Sequence, residues 1–169
     1  MNWKLSAFAD EISPDPELQF SILERHGINE IQLRGAWGKN VMELSTGELH
    51  DLKSIAGIHG LTFHAVGSPL GKTNISEAAR ISIDGVRTAA TIAHEIGADR
   101  IRIFSFYRDP GVPAENIRSQ VIDRLGAMLD AAEESGVTLI HENEKDVYGD
   151  TGDRCLDLAT NLPRLGLCF

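Results

Sequence analysis

The chain has 169 residues, with 16 basic against 25 acidic side chains for a formal charge of −9, and 42% hydrophobic residues. That composition describes a globular domain with enough chain to bury a core. Such acidity, without any Lys/Arg run, excludes a nonspecific DNA or RNA binder because the phosphates would be repelled. No stretch approaches the roughly 18 apolar residues of a membrane span, and Met1-Asn2-Trp3-Lys4 lacks the apolar segment of a signal peptide. A cytoplasmic protein with neither nucleic-acid nor membrane partners is expected. Cys155 and Cys168 are too few and too widely spaced for a disulfide framework or a CxxC pair, and fit buried thiols in a reducing compartment.

Residues 5–9 open the chain as a short run suited to a buried strand. Asp15-Pro16 then places a capping side chain before a proline suited to the first helical turn, with Leu18, Ile22 and Leu23 on one face. The helix stops at Gly27, and residues 30–34 form the next strand run. Ser45-Thr46-Gly47-Glu48 is a capping box opening a second helix through Leu49, Leu52, Ile55 and Ala56. It stops at Gly60, ahead of a strand at 61–66. Ser76 begins a third helix with Ile83, Val86, Ala90 and Ala93 as its apolar stripe, ending at Gly97 before a strand at 100–104. From about Pro113, Ile117, Val121, Leu125, Met128 and Ala132 recur at three or four residues. Gly136 closes that helix, a strand follows at 137–142, a short helix follows Thr151 with Cys155, Leu158 and Ala159 buried, and a last strand occupies 165–169. Glycine recurs just past these helices because it takes the left-handed conformation that caps the last carbonyls.

Strict alternation of strand and helix implies βα units and an all-parallel sheet, since parallel neighbours need a crossover. Strand starts recur at roughly 32 residues on average, and eight such units need about 250, the size of a (β/α)8 barrel. The expected fold class is therefore α/β, a partial (β/α)8 TIM barrel of about five βα units plus a sixth strand, whose C-terminal third is absent. An open doubly wound sheet is the competing topology, but neither GxGxxG nor GxxxxGK[ST] follows any strand.

In such a barrel the working groups stand at the C-terminal ends of strands. Leu139-Ile140-His141-Glu142 runs a carboxylate straight out of an apolar strand, where an ionised glutamate is costly unless a cation or metal shares its charge. Glu142 is thus a candidate for metal ligation or acid–base work, the alternative being a pair with a neighbouring Arg or Lys. A Glu142 locked onto a guanidinium counts against the catalytic role. Side chains alternate along a strand, so His141 is expected to pack toward the helices. Glu144 lies beyond the strand, either solvated or near a substrate. Ser68-Pro69-Leu70-Gly71-Lys72 offers a hydroxyl, a rigid turn, a glycine permitting close approach and one ammonium; it can hold an oxygen-rich ligand or simply connect two elements. Arg34 and Glu11, at the ends of the second and first strands, either contact a ligand or pair with each other or with neighbours. His94-Glu95 begins like HExxH but has Ala98 at the second ligand position, so no zinc-protease motif is present.

Phe8-Ala9-Asp10-Glu11-Ile12-Ser13, Ile31-Gln32-Leu33-Arg34, Gly67-Ser68-Pro69-Leu70-Gly71-Lys72, Phe104-Ser105-Phe106-Tyr107 and Glu142-Asn143-Glu144, with Tyr148-Gly149-Asp150-Thr151 following, occur in order along the chain. Together they resemble the sugar phosphate isomerase/epimerase family with a xylose isomerase-like TIM barrel, so that residues 1–169 form a single incomplete domain of that kind. The resemblance implies a metal-dependent enzyme of carbohydrate metabolism acting on a sugar, sugar phosphate or keto-acid by proton transfer next to a carbonyl. It implies a divalent metal ion (Mn, Mg, Co or Zn) with Glu142 as ligand and as one of the proton-moving carboxylates, and Ser68 and Lys72 near the substrate. Two departures stand out. Gln32 occupies a position where many relatives carry glutamate, and the family's next ligand, an aspartate at the end of the sixth strand, falls just after Phe169. With one carboxylate left of a site that needs about three protein ligands, the chain as written is expected to be inactive. The competing expectations are a dehydratase of the same barrel, an apurinic-site endonuclease-like barrel, and a noncatalytic module that forms a homo-oligomer through unpaired edge strands.

Overall fold

Residues 4–168 are described by a computed structural model of the chain. Its strands are β1 (Ser6–Ala7), β2 (Glu30–Leu33), β3 (Gly35–Ala36), β4 (Lys39–Asn40), β5 (Thr62–Gly67), β6 (Arg100–Ile103), β7 (Thr138–Glu142) and β8 (Gly166–Cys168). Its α-helices are α1 (Pro16–Arg25), α2 (Thr46–Ile58), α3 (Ala79–Ile96), α4 (Ala114–Glu134) and α5 (Gly152–Asn161). Six of the strands alternate with the five helices, which is the α/β connectivity of a partial TIM barrel. Met1–Trp3, on which the expectation about a signal peptide rests, and Phe169, the last residue of the expected final strand run, lie outside the described residues. Among the described residues, no helix is long and apolar enough to cross a membrane.

Contacts divide the chain into two units, residues 1–68 with 91–100 and residues 69–90 with 101–169. In the first unit β1, β2 and β5 lie side by side and parallel. The local signals act as expected: Asp15 accepts the Glu17 N–H ahead of Pro16, and Ser45 and Glu48 form a reciprocal capping box that starts α2. The core gathers Phe20, Leu23, Ile31, Leu33, Leu49, Leu52 and Phe63, with the Phe20 and Phe63 rings edge to face at 6.1 Å. The β2–β5 register slips between Ile31 and Gln32, because β5 carries one extra residue there.

A short antiparallel hairpin follows β2 and has no counterpart in the expected elements. Its strands pair Gly35 with Asn40 and Ala36 with Lys39. The two turn residues, Trp37 and Gly38, have φ of 53° and 73°, the left-handed pair of a type I′ turn. Asn-Gly is the usual signal for such a turn, and Trp-Gly conceals it.

In the second unit β7 and β8 pair in parallel, bringing Glu142 opposite Cys168, and α4 packs against β7. Ile101, Ile103, Val121, Leu125, Met128, Leu139 and Leu158 are fully buried there. Helix α3 starts at Ala79, later than the expected Ser76. Asn74 explains the delay: its side-chain oxygen accepts the Ser76 N–H and its carbonyl the Glu77 N–H, a turn that competes with the first helical turn.

The loop after β5 lies against the end of β6. Phe104 N–H donates to the Leu70 carbonyl at 2.7 Å and Phe106 N–H to the Gly71 carbonyl at 2.8 Å. Gly71 has φ +85°, and a Cβ there would fall 2.1 Å from the Phe104 carbonyl oxygen. Only glycine meets both demands. Gly71→Ala is expected to destabilise the protein by about 2–4 kcal/mol through left-handed strain plus overpacking, measurable by urea unfolding.

Candidate active site

The second unit gathers three of the candidate residues around one aromatic ring. β7 ends on Glu142, whose side chain keeps 28% of its exposure, while the Arg102 side chain from β6 keeps 6%. Their charged atoms, Oε2 and Nη1, are 3.2 Å apart. The Arg102 guanidinium lies 4.5 Å from the centre of the Phe104 ring and the Lys72 ammonium 4.3 Å. Lys72 Nζ donates to Glu144 Oε2 at 2.7 Å. That bond, with the Lys145 backbone N–H also donating to the carboxylate, holds Glu144 below the ordinary carboxylate range. Two cations and two carboxylates thus surround Phe104 with no net charge.

Glu142 stands in an ion pair with a guanidinium, the arrangement that weighs against a catalytic role for it. Arg102 is a residue that strand-end inspection passes over, because it lies inside β6 and only the strand pairing brings it to Glu142. Ser68, directly after β5, is fully buried.

Arg34 and Glu11 come together in the first unit. Arg34 Nη2 donates to Glu11 Oε1 at 3.1 Å, and Arg34 Nε donates to Asp10 Oδ2 at 2.8 Å. Burial pulls the Arg34 pKa down, but the hydrogen bonds and charges of Asp10 and Glu11 outweigh it and leave it above its ordinary value. Asp10 belongs to a 3-10 turn, Ala9–Glu11, just past β1. Its Oδ1 is buried and has no hydrogen-bond partner. Asp10 and Arg34 share a cleft of about 380 Å³ with Gly35, Lys39 and Asn40. The hairpin that forms one wall is held at its turn by the Trp37 N–H, which donates to the Pro14 carbonyl at 2.6 Å. A bulky side chain at positive φ costs about 1–2 kcal/mol.

The segment after β7 is pinned from below. His141 is fully buried, as strand alternation requires. Its Nε2 lies 3.0 Å from Ser105 Oγ, which accepts the Gly149 N–H at 2.7 Å. A Cβ on Gly149 would come within 2.5 Å of the His141 ring, so this backbone can approach only as glycine. Burial pushes the imidazole down to about 4. Next to Gly149, Tyr148 donates to Asp157 Oδ2 at 2.6 Å, and Arg118 grips the same carboxylate through both oxygens at 2.9 and 2.6 Å. Burial and the Asp157 charge push the Tyr148 phenol up to about 12.

Among the described residues, no three His, Cys, Asp or Glu side chains come together as a metal site. Glu142 has a guanidinium for its neighbour where a second carboxylate or an imidazole would be needed. The residues present therefore do not fit a divalent cation.

Alternating βα units with charged side chains at the strand ends define a TIM-barrel protein. The family described as xylose isomerase-like TIM barrel matches residues 20–169, and the chain belongs to that family. No curated protein matches its sequence. Among solved structures, the IolI protein with a bound zinc atom superposes with a TM-score of 0.76 at 16% identity, covering 99% of this chain and 62% of that one. The probable 3-DHS dehydratase AsbF of Bacillus anthracis gives 0.71 at 16% identity, covering 99% and 62%. D-allulose 3-epimerase from Methylomonas sp., in complex with D-allulose, gives 0.69 at 16% identity, covering 96% and 60%. The chain spans about three fifths of the length of these proteins, and likeness at this identity shows the fold.

Two outcomes are expected. The unfolded chain takes up a proton at His141 near its ordinary 6.5, which the folded chain refuses down to about 4. The unfolded state then binds more protons in that window, so stability rises with pH across it; the contribution is complete above about pH 6.5 and lost toward pH 4. Denaturation between those limits should show a slope that His141→Gln reduces. Ser105→Ala leaves the buried Gly149 N–H without an acceptor and should cost about 1–3 kcal/mol, read from the same unfolding curves.

Proposed function

We propose that this chain is part of a sugar, sugar phosphate or keto-acid isomerase/epimerase of carbohydrate metabolism, cytoplasmic, that moves a proton at the carbon beside a carbonyl. The observation that supports the reading most is the match to the xylose isomerase-like TIM-barrel family over residues 20–169; at the ends of β6 and β7, Glu142 keeps part of its exposure. Taking a carbon-bound proton needs a carboxylate held in a fixed place, and the enediolate oxygen that develops needs a nearby positive charge. In this proposal Glu142 is the carboxylate and Arg102 fixes its position through one oxygen. Lys72 supplies positive charge, with Glu144 orienting the ammonium. Ser68, Arg34 and Glu11, which belong to the first unit, are proposed by resemblance as substrate contacts in their own right.

The ion pair with Arg102 weighs against Glu142 as general base and as metal ligand alike, so both roles rest on the family resemblance. A tight metal site usually takes three or more protein ligands, and Glu142 is the single candidate here. A dehydratase is the second reading, supported by the AsbF neighbour, because the same proton removal can be followed by loss of a hydroxyl.

The test uses a protein that continues this chain through eight strands, assayed by NMR for exchange of solvent deuterium into D-fructose, D-allulose and keto-acids. Glu142→Gln is expected to lower turnover by roughly 10²–10⁴-fold, the usual weight of a general base. Unchanged turnover rejects the role given to Glu142.

A further inference from the structure

We infer that the cavity between the start of α3 and the middle of α4 is a binding site for a small monocarboxylate, with the Arg124 guanidinium as its anchor. The site shares no residue with the Glu142, Lys72 and Glu144 cluster and does not depend on the proton-transfer proposal.

Three observations carry it. The first is a buried charge without a counter-ion. Arg124 is 7% exposed, and its Nη1 is buried without a hydrogen-bond partner. Arg102 is withdrawn from water to a similar degree but meets the Glu142 carboxylate. Among the described residues, no carboxylate comes within ion-pair distance of Arg124. Its guanidinium carbon lies instead 5.3 Å from the centre of the Phe106 ring. That ring is held through its backbone, the Phe106 N–H donating to the Gly71 carbonyl at 2.8 Å and the Phe106 carbonyl accepting the Tyr148 N–H at 3.0 Å. A ring face replaces only part of the hydration a guanidinium loses on burial, and an anion supplies the rest. Burial holds Arg124 below the ordinary arginine pKa, with the Glu77 charge acting the other way.

The second is room. Arg124 lines a cavity of about 330 Å³ with Ala79, Gln120, Asp123 and Ala127. The four α4 residues follow one another at helical spacing and share one face. Ala79 and Ala127 leave open the space that longer side chains would fill, and Gln120 commits its amide nitrogen to the Ile75 carbonyl at 3.0 Å.

The third is the charge pattern around that space. Ala79 is the first residue of the 18-residue α3, so the positive end of the helix faces the cavity. Ala78, ahead of it, has no side-chain oxygen for the free N–H groups of the first turn. Asp123 and Glu77 limit what can bind. One negative charge on Arg124 is matched by the guanidinium, whereas the second charge of a phosphate dianion would face two carboxylates. The two coplanar oxygens of a carboxylate also fit the guanidinium fork.

The experiment is an NMR titration of the 169-residue chain with sodium acetate at constant ionic strength, followed at the arginine Nε–H signals and the backbone amides of α4. Sodium chloride is the control, and inorganic phosphate is titrated in parallel. Acetate is expected to shift these signals to saturation, and phosphate to bind more weakly by about threefold or more. Arg124→Met should weaken acetate binding by about tenfold or more. The same substitution should raise the melting temperature of the ligand-free chain by about 1–4 °C, because an apolar side chain replaces a buried charge without a partner. Ala127→Leu keeps the guanidinium but fills the cavity, and should weaken acetate binding by about fivefold or more with the circular dichroism spectrum retained; it decides the matter if Arg124→Met fails to fold. Asp123→Asn should bring phosphate affinity up to that of acetate. No saturable shift with acetate, or acetate binding that ignores Ala127→Leu, overturns the site. A shift that chloride reproduces, or tighter binding of phosphate than of acetate to the unsubstituted chain, overturns the monocarboxylate assignment.

Discussion

The site of the second unit depends on one aromatic ring that serves two cations. Arg102 is almost wholly withdrawn from water, a position that costs several kcal/mol unless other groups replace its hydration. The face of Phe104 supplies part of that replacement and the Glu142 carboxylate another part. Lys72 uses the same ring and ends on Glu144. The backbone of Phe104 is in turn fixed by the close approach of Gly71, which explains why a loop with a proline, a glycine and a lysine is held in place as firmly as a strand.

Around this cluster the fold divides its polar groups into buried ones that fasten the backbone and part-exposed ones that pair with cations. His141 and Ser105 belong to the first kind: they are fully buried, and their hydrogen bonds end on the backbone of Gly149. Asp157 draws Tyr148 and Arg118 together and fastens the same segment from α4 and α5. Glu142 and Glu144, on the neighbouring positions of the strand and the segment, stay about one-third exposed. Adjacent residues on a strand point to opposite faces, and that geometric fact separates the buried His141 from the part-exposed Glu142.

The first unit handles charge differently. Arg34 spreads its guanidinium over two carboxylates and the Phe8 ring, which consumes its charge but not its donors. What the cleft beside it presents to a ligand is therefore directional hydrogen bonding without net attraction for anions. The hairpin that walls the cleft turns at Trp37, held in a backbone conformation that a tryptophan would not choose locally.

The sequence alone determined the order of the six parallel strands and five helices, because those signals are local: Asp15-Pro16, the Ser45–Glu48 box and the glycines past the helices act within a turn of the residues they cap. It also brought Glu142, Lys72, Glu144, Arg34 and Glu11 forward, since strand ends can be read from apolar runs. Tertiary structure decided what those side chains do. Arg102 meets Glu142 only through strand neighbours, Asp10 takes Arg34 from another βα unit, and Ser105 reaches Gly149 across a segment with no repeating pattern. The Trp37 turn escaped notice because its residue type contradicts its backbone. A period of 2 or 3.6 records which face of an element is buried, whereas the partner found on that face depends on the register between elements distant in the chain.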